Sequence, residues 1–231
     1  MNSDFTTGQL DKYEIILGSS SPRRYELLKD YMNVGNITVL KPSFEENLDK
    51  ELYKDDPLKY VHDTCHLKAK SILKEYNPGK KSTKEFGAII ICADTIVVGP
   101  DNQIYEKPIT QEKQLEYLTK FCYTYGNEVS DNKCMKVITS VVLIKDCKDK
   151  EDKTAPAIHQ FEEITKIYFD PDIPLNVIER YVESKDGLNV AGGFKIQGPS
   201  AVLIKGIEGD YYNIVGLPVN KTYKTLLQLI K

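Results

Sequence analysis

No apolar stretch in this 231-residue chain approaches the roughly 18 residues that a membrane-spanning helix needs. A basic surplus is missing too: 31 lysines and arginines stand against 34 acidic residues, a net charge of -3. That balance excludes a general binder of nucleic acid or of anionic membranes, since both need a large positive excess. The five cysteines, Cys65, Cys92, Cys122, Cys134 and Cys147, are odd in number and hold no C-x-x-C pair. They offer no disulfide framework and no thiolate zinc site, so the chain reads as a protein of a reducing, cytoplasmic compartment. Met1 to Gln9 is polar and lacks the apolar segment of a secretory leader. No internal repeat is visible.

What is present is an ordinary globular balance, 41% hydrophobic and 28% charged. The length suits one large domain or two small lobes with a shared core. Residues 1–11 read as a polar lead-in and 12–231 as a single domain.

Leu17-Gly-Ser-Ser-Ser-Pro-Arg-Arg-Tyr-Glu-Leu-Leu28 organises the rest. A strand over Tyr13 to Leu17 ends at Gly18, and a small-residue turn follows. Ser21 suits an N-cap and Pro22 the first helical position. Arg23 and Arg24 then sit on the first turn, where free N–H groups and two guanidiniums suit a polyanion such as a triphosphate. The competing reading is a capped surface helix with solvated arginines.

Ile37 to Leu40 reads as a second strand, and Glu45-Glu46 as a carboxylate pair on the loop after it. Pro57 opens a helix to about Tyr76, with Val61, Cys65, Ala69 and Ile72 on one face. Lys68 falls inside that apolar stripe, where a lysine must snorkel or meet an anion. His62 and His66 have the i, i+4 spacing of a metal pair, but they sit at the stripe's edge and no further ligand pattern accompanies them.

Ala88 to Val98 is the strongest strand, apolar on both faces and therefore central. Asp94 interrupts it. A carboxylate there needs a cation, a metal or several donors. A hairpin strand at Ile104-Tyr105, a helix over Thr110–Phe121, strands over Val137–Lys145 and Ile158–Phe169, and a helix ending near Ser184 follow. Tyr123–Lys133 and Asp146–Thr154 read as polar connections. Ala191 to Gly198 is glycine-rich, Ala201 to Ile207 reads as a strand, and a helix closes the chain. Strands alternate with helices, which predicts an α/β protein: a central mixed sheet flanked by helices.

Together, Ser19-Ser-Ser-Pro-Arg-Arg24, Lys68-Ala69, Ala93-Asp-Thr95, Glu106-Lys-Pro108, Glu163-x-Thr-x-Ile-x-Phe169, Ala191 to Gly198 and Gly209 to Pro218 resemble the motifs of the Maf family of nucleoside triphosphate pyrophosphatases, in order and spacing. The departures lie at Asp131, Asn132 and Met135, at Asn189, and in longer loops near Lys80 and Lys150. The resemblance implies a two-lobed fold like that of Maf and inosine triphosphate pyrophosphatases, a substrate cleft between the lobes, a divalent metal such as Mg²⁺ or Mn²⁺, and a homodimer. It implies hydrolysis of dTTP or UTP, modified pyrimidine nucleotides included, to monophosphate and pyrophosphate, which prevents misincorporation into nucleic acid. Arg23, Thr95 and Gln197 side with the pyrimidine subgroup.

In that reading Asp94 is the general base, and Glu46 with Asp94 holds the metal. Ser19, Ser21, Arg23, Arg24, Lys68, Thr95, Lys107 and Gln197 bind substrate. The alternatives are a nucleotide-binding regulator of cell division without turnover, and a pyrophosphatase acting on other modified nucleotides. Pyrophosphate release from dTTP separates the first, and a panel of modified triphosphates the second.

Overall fold

The computed structural model describes residues 8–45, 48–76, 84–126, 134–146 and 156–230. Glu46, Asp131, Asn132, Cys147, most of the lead-in, and the loops around Lys80 and Lys150 lie outside them. The described chain runs β1 (Glu14–Leu17), α1 (Pro22–Glu26), β2 (Ile37–Val39), α2 (Pro57–Tyr76), β3 (Ala88–Val98), β4 (Ile104–Tyr105) and α3 (Gln111–Thr119). It continues with β5 (Met135–Asp146), β6 (Ala157–Phe169), α4 (Leu175–Glu183), β7 (Ile204–Glu208), α5 (Tyr211–Val215) and α6 (Val219–Leu229). No helix among these residues is long and apolar enough to cross a membrane.

The seven strands form one mixed sheet in the order β2-β1-β3-β5-β6-β7, with β4 added to the end of β3. β1 lies parallel to β2 and β3, whereas β3, β5, β6 and β7 pair antiparallel. Three differences from the sequence reading have local causes. Pro199, fixed at helical φ, starts a 3-10 turn through Leu203, so β7 begins at Ile204 instead of Ala201. The helix after Thr110 continues as a wider turn over Lys120–Tyr125. Asn213 sits within a short helix capped by the Asp210 side chain.

Side chains alternate across the sheet, and this divides the core. Odd residues of β3 and β5, such as Ile89, Ile91, Val141 and Leu143, pack with α6. Even ones, such as Ile90, Cys92, Val142 and Ile144, pack with Cys65, Ala69 and Ile72 of α2. The same alternation repeats further along: Val97 and Val137 join one cluster, while Ile96, Val98 and Ile138 join another. Asp94 and Thr95 stand where the clusters at one end of the strand give way to those at the other. β3 and β5 therefore run through the whole core, each contributing side chains to all four clusters.

The edge of β3 is interrupted at the same place. β1 pairs only as far as Leu17 with Ile91, and β4 begins at Val97 with Tyr105. Among the described residues no strand covers 92–96 on that side.

Candidate active site

A cavity of about 1150 Å³ opens at this interruption. Its walls are the turn after β1, the loop after β2, α2, the middle of β3, the hairpin loop after β4, and the segments around 185–195 and 214–216. Because β3 is uncovered at its edge, residues of both parities reach one space. Asp94 meets α2 on one face, while Thr95 meets α1 and α5 on the other.

On the α2 face, Lys68 Nζ lies 2.5 Å from Asp94 Oδ1, and both residues are buried. The lysine within the apolar stripe thus meets an anion instead of snorkelling. The stripe itself is as the periodicity predicts, with Val61, Cys65, Ala69 and Ile72 buried around it.

On this same face Gly18 lets the chain turn hard against β3, since a Cβ there would run into Cys92 Sγ and crowd Ile72 of α2. The opposite face carries α1 and its arginines. Ser21 holds the N-cap position of α1 with extended backbone, but its side chain makes no cap bond. Instead the Ser21 N–H donates to Ser19 Oγ at 3.2 Å. Arg24 donates three times: Nε to the Gly216 carbonyl at 2.9 Å, Nη1 to Ser19 Oγ at 3.1 Å and Nη2 to Thr95 Oγ1 at 2.9 Å. Gly216 can offer that carbonyl because its φ of 123° is closed to most side chains. Arg23 Nε donates to the Val215 carbonyl at 3.3 Å. Burial, then the Arg24 charge, lowers the pKa of the Arg23 guanidinium from its ordinary value, with Asp186 opposing the shift.

Ser19, Ser21, Arg23, Arg24, Lys68, Asp94, Thr95 and Lys107 therefore share one cavity. Gln197 does not: its side chain is exposed on the turn after Lys195, outside the lining. Lys195 and Asp186, joined at 2.7 Å, do line the cavity, as does Asn189. Lys41 and Lys185 line it as well, and Lys41, Lys185, Asp186 and Lys195 were not singled out from the sequence. Lys185 carried no readable mark, since its positive φ of 59° is a property of the fold. The lining holds seven cations (Arg23, Arg24, Lys41, Lys68, Lys107, Lys185, Lys195) against three carboxylates (Glu45, Asp94, Asp186).

His62 and His66 lie away from this cavity. Each turns to a different side chain of β6, His62 Nδ1 to Glu162 at 2.7 Å and His66 Nδ1 to Gln160 at 3.1 Å.

Residues 14–229 match the family model described as Maf-like protein. The chain belongs to the Maf family. Its relatives include a protein named dTTP/UTP pyrophosphatase from Saccharomyces cerevisiae, 48% identical over 93% of this chain and 90% of that one. A Schizosaccharomyces pombe protein of the same name is 31% identical over 96% of this chain and 86% of its own. Another from Dictyoglomus thermophilum is 33% identical over 94% of this chain and 97% of its own. For this Maf chain, the match spans every wall of the cavity.

Proposed function

We propose that this protein is an enzyme that hydrolyses dTTP and UTP, modified pyrimidine nucleotides included, to the monophosphate and pyrophosphate. The observation that carries the reading is one buried carboxylate, Asp94, at the floor of a cavity ringed by an excess of cations. The names of the relatives supply the pyrimidine preference. Such a cavity is large enough for a nucleotide, since small-molecule sites run to roughly 300–1000 Å³. Its charge suits a triphosphate, whose cleavage depends mainly on positioning and neutralisation.

In this mechanism Arg23, Lys107 and the free N–H groups of Arg24 bind the phosphate chain. Ser19 and Ser21 contribute hydroxyls at the turn. Lys68 holds Asp94 by Oδ1, which leaves Oδ2 to take a proton from the water that attacks the α-phosphorus. Asp94 and Glu45 of the lining offer carboxylate oxygens, and that donor chemistry fits a hard divalent cation shared with phosphate oxygens. Asp94 and Glu46 would hold Mg²⁺ or Mn²⁺; Glu45, like Asp94, lines the cavity. When bound, the metal supplies further neutralisation of phosphate charge. Gln197 is assigned to the base on the family resemblance and on its amide, which can meet a pyrimidine's carbonyl and N–H edge with two hydrogen bonds; its side chain lies outside the lining. Clearing nucleotides that would otherwise be misincorporated, in the cytoplasm, is the role that goes with this activity.

The test is pyrophosphate release by the purified protein with Mg²⁺, over a panel of common and modified triphosphates. Fastest turnover of dTTP and UTP is expected. Binding without turnover of any triphosphate would sink the proposal.

A further inference from the structure

Behind the cavity a line of buried polar groups runs from Arg24 through the sheet. Thr95 Oγ1 lies 3.0 Å from Thr139 Oγ1, its cross-strand neighbour on β5. Thr139 Oγ1 lies 3.2 Å from the Asn213 carbonyl of α5, to which it can donate. Asn213 Nδ2 donates to the Val137 carbonyl at 3.0 Å and to Thr165 Oγ1 at 2.9 Å, and Thr165 donates to the Asp210 carbonyl at 2.9 Å. Thr139, Thr165 and Asn213 are fully buried. None of them lines the cavity.

A hydroxyl has one hydrogen to give, and that fixes the direction of the line. The arrangement that uses every hydrogen has Thr139 donating to the Asn213 carbonyl and Thr95 donating to Thr139. Thr95 Oγ1 is then an acceptor for Arg24 Nη2. Three of the five guanidinium N–H bonds of Arg24 are spent on Gly216, Ser19 and Thr95. Two remain, one on each terminal nitrogen, and the three that are spent decide where these two point.

We propose that Thr139 is a positioning residue for the reaction. By accepting a hydrogen bond from the Thr95 hydroxyl and donating its own to the Asn213 carbonyl, it keeps Thr95 turned as an acceptor and so sets the plane of the Arg24 guanidinium. Thr139 touches no substrate. The inference rests on the triphosphate reading of the cavity. α5 takes part because its Asn213 closes the line while its end supplies Val215 O and Gly216 O to the two arginines.

The test compares Thr139→Val, which keeps the shape and removes the hydroxyl, with Thr139→Ser, which keeps the hydroxyl. In Thr139→Val the KM for dTTP should rise about tenfold, the weight of one misaligned charged hydrogen bond, with kcat little changed. Thr139→Ser should restore the KM. In a Thr95→Val background, adding Thr139→Val should cost nothing more. Should Thr139→Val fail to fold, Thr139→Cys, whose thiol donates weakly, carries the same expectation. Wild-type kinetics in folded Thr139→Val, or a full further loss in the Thr95→Val background, would overturn the proposal. Titration calorimetry with inorganic tripolyphosphate separates the two readings. If the wild type turns over no triphosphate, yet Thr139→Val still weakens tripolyphosphate binding, the positioning role stands and the pyrophosphatase reading falls.

Discussion

Lys68 and Asp94 meet at 2.5 Å with their side chains only 9% and 11% exposed, one from a helix and the other from the middle of the central strand. Each supplies the counter-charge the other's burial requires. Removing one partner should therefore act on stability and on turnover together. Lys68→Met is expected to destabilise the fold by about 3 kcal/mol, as when a buried pair is broken. Lys68→Met with Asp94→Leu should recover most of that loss while remaining inactive. Denaturant unfolding of the single and double variants checks this; equal stability in all of them would mean that water already screens the pair.

Asp94→Asn keeps the shape of the side chain and removes its capacity to accept a proton. Turnover of dTTP should fall by roughly 10²- to 10⁴-fold, the usual weight of a general base. Circular dichroism should report an intact fold. A folded Asp94→Asn protein with near-normal kcat would remove Asp94 from the chemistry.

Ile109 has a φ of 65° and is 63% exposed, and Thr110 N–H donates to the Pro108 carbonyl across it at 2.7 Å. A β-branched residue in this tight three-residue turn is strained. The turn follows Lys107 directly, so the strain sits beside the cavity. Asn tolerates positive φ far better. Ile109→Asn should raise Tm by about 2–4 °C, corresponding to about 1 kcal/mol in a chain of this size. A scanning-fluorimetry Tm below wild type would show that the isoleucine packs usefully where it is.

Gln197→Glu tests the base assignment. An amide can donate to a ring carbonyl and a carboxylate cannot. The kcat/KM for dTTP and UTP should fall roughly 5- to 150-fold more than that for a purine triphosphate, equivalent to about 1–3 kcal/mol. A uniform change across substrates would leave reading of the base to Lys195 and Asp186.

Burial pushes the thiols of Cys92 and Cys122 from 9.0 up to about 12, and raises Cys65 as well. A pKa raised on folding means that the protonated thiol is the form the fold favours. This contribution is fully present below pH 9 and is lost as pH rises from 9 towards 12, by about 1.4 kcal/mol per thiol and pH unit. Urea unfolding at pH 8 and pH 10.5 should show the fall, and Cys92→Ala should reduce its slope. A stability that is flat over this range would contradict the buried thiols.

The parts of this molecule that were legible in the sequence are those where a residue conflicts with its surroundings. Asp94 breaks an apolar strand and Lys68 breaks an apolar helical stripe; each conflict is resolved by the other. Lys41, Lys185, Lys195 and Asp186 escaped notice because charged residues in loops look alike whether they face water or a cavity. The start of β7 was misplaced because Ala201, Val202 and Leu203 are apolar enough for a strand, while the turn set by Pro199 decides their geometry. The locking of Arg24 was not readable, since it depends on the Gly216 carbonyl, 192 residues away in sequence. Asn213 did carry a mark, a lone amide between Tyr212 and Ile214, but its partners lie on β5 and β6.

The interruption between β1 and β4 has a consequence for rigidity. A continuous sheet protects its central amides by pairing them on both sides. Here the strand that carries Asp94 and Thr95 is paired on one side by β5 and faces the cavity on the other. In the proposed mechanism a nucleotide in that cavity would lie along the uncovered edge of β3, and its contacts would stand in for part of the missing strand. The centre of the sheet would then be stiffer with the site occupied than with it empty. Product release would return that freedom to the strand that carries Asp94.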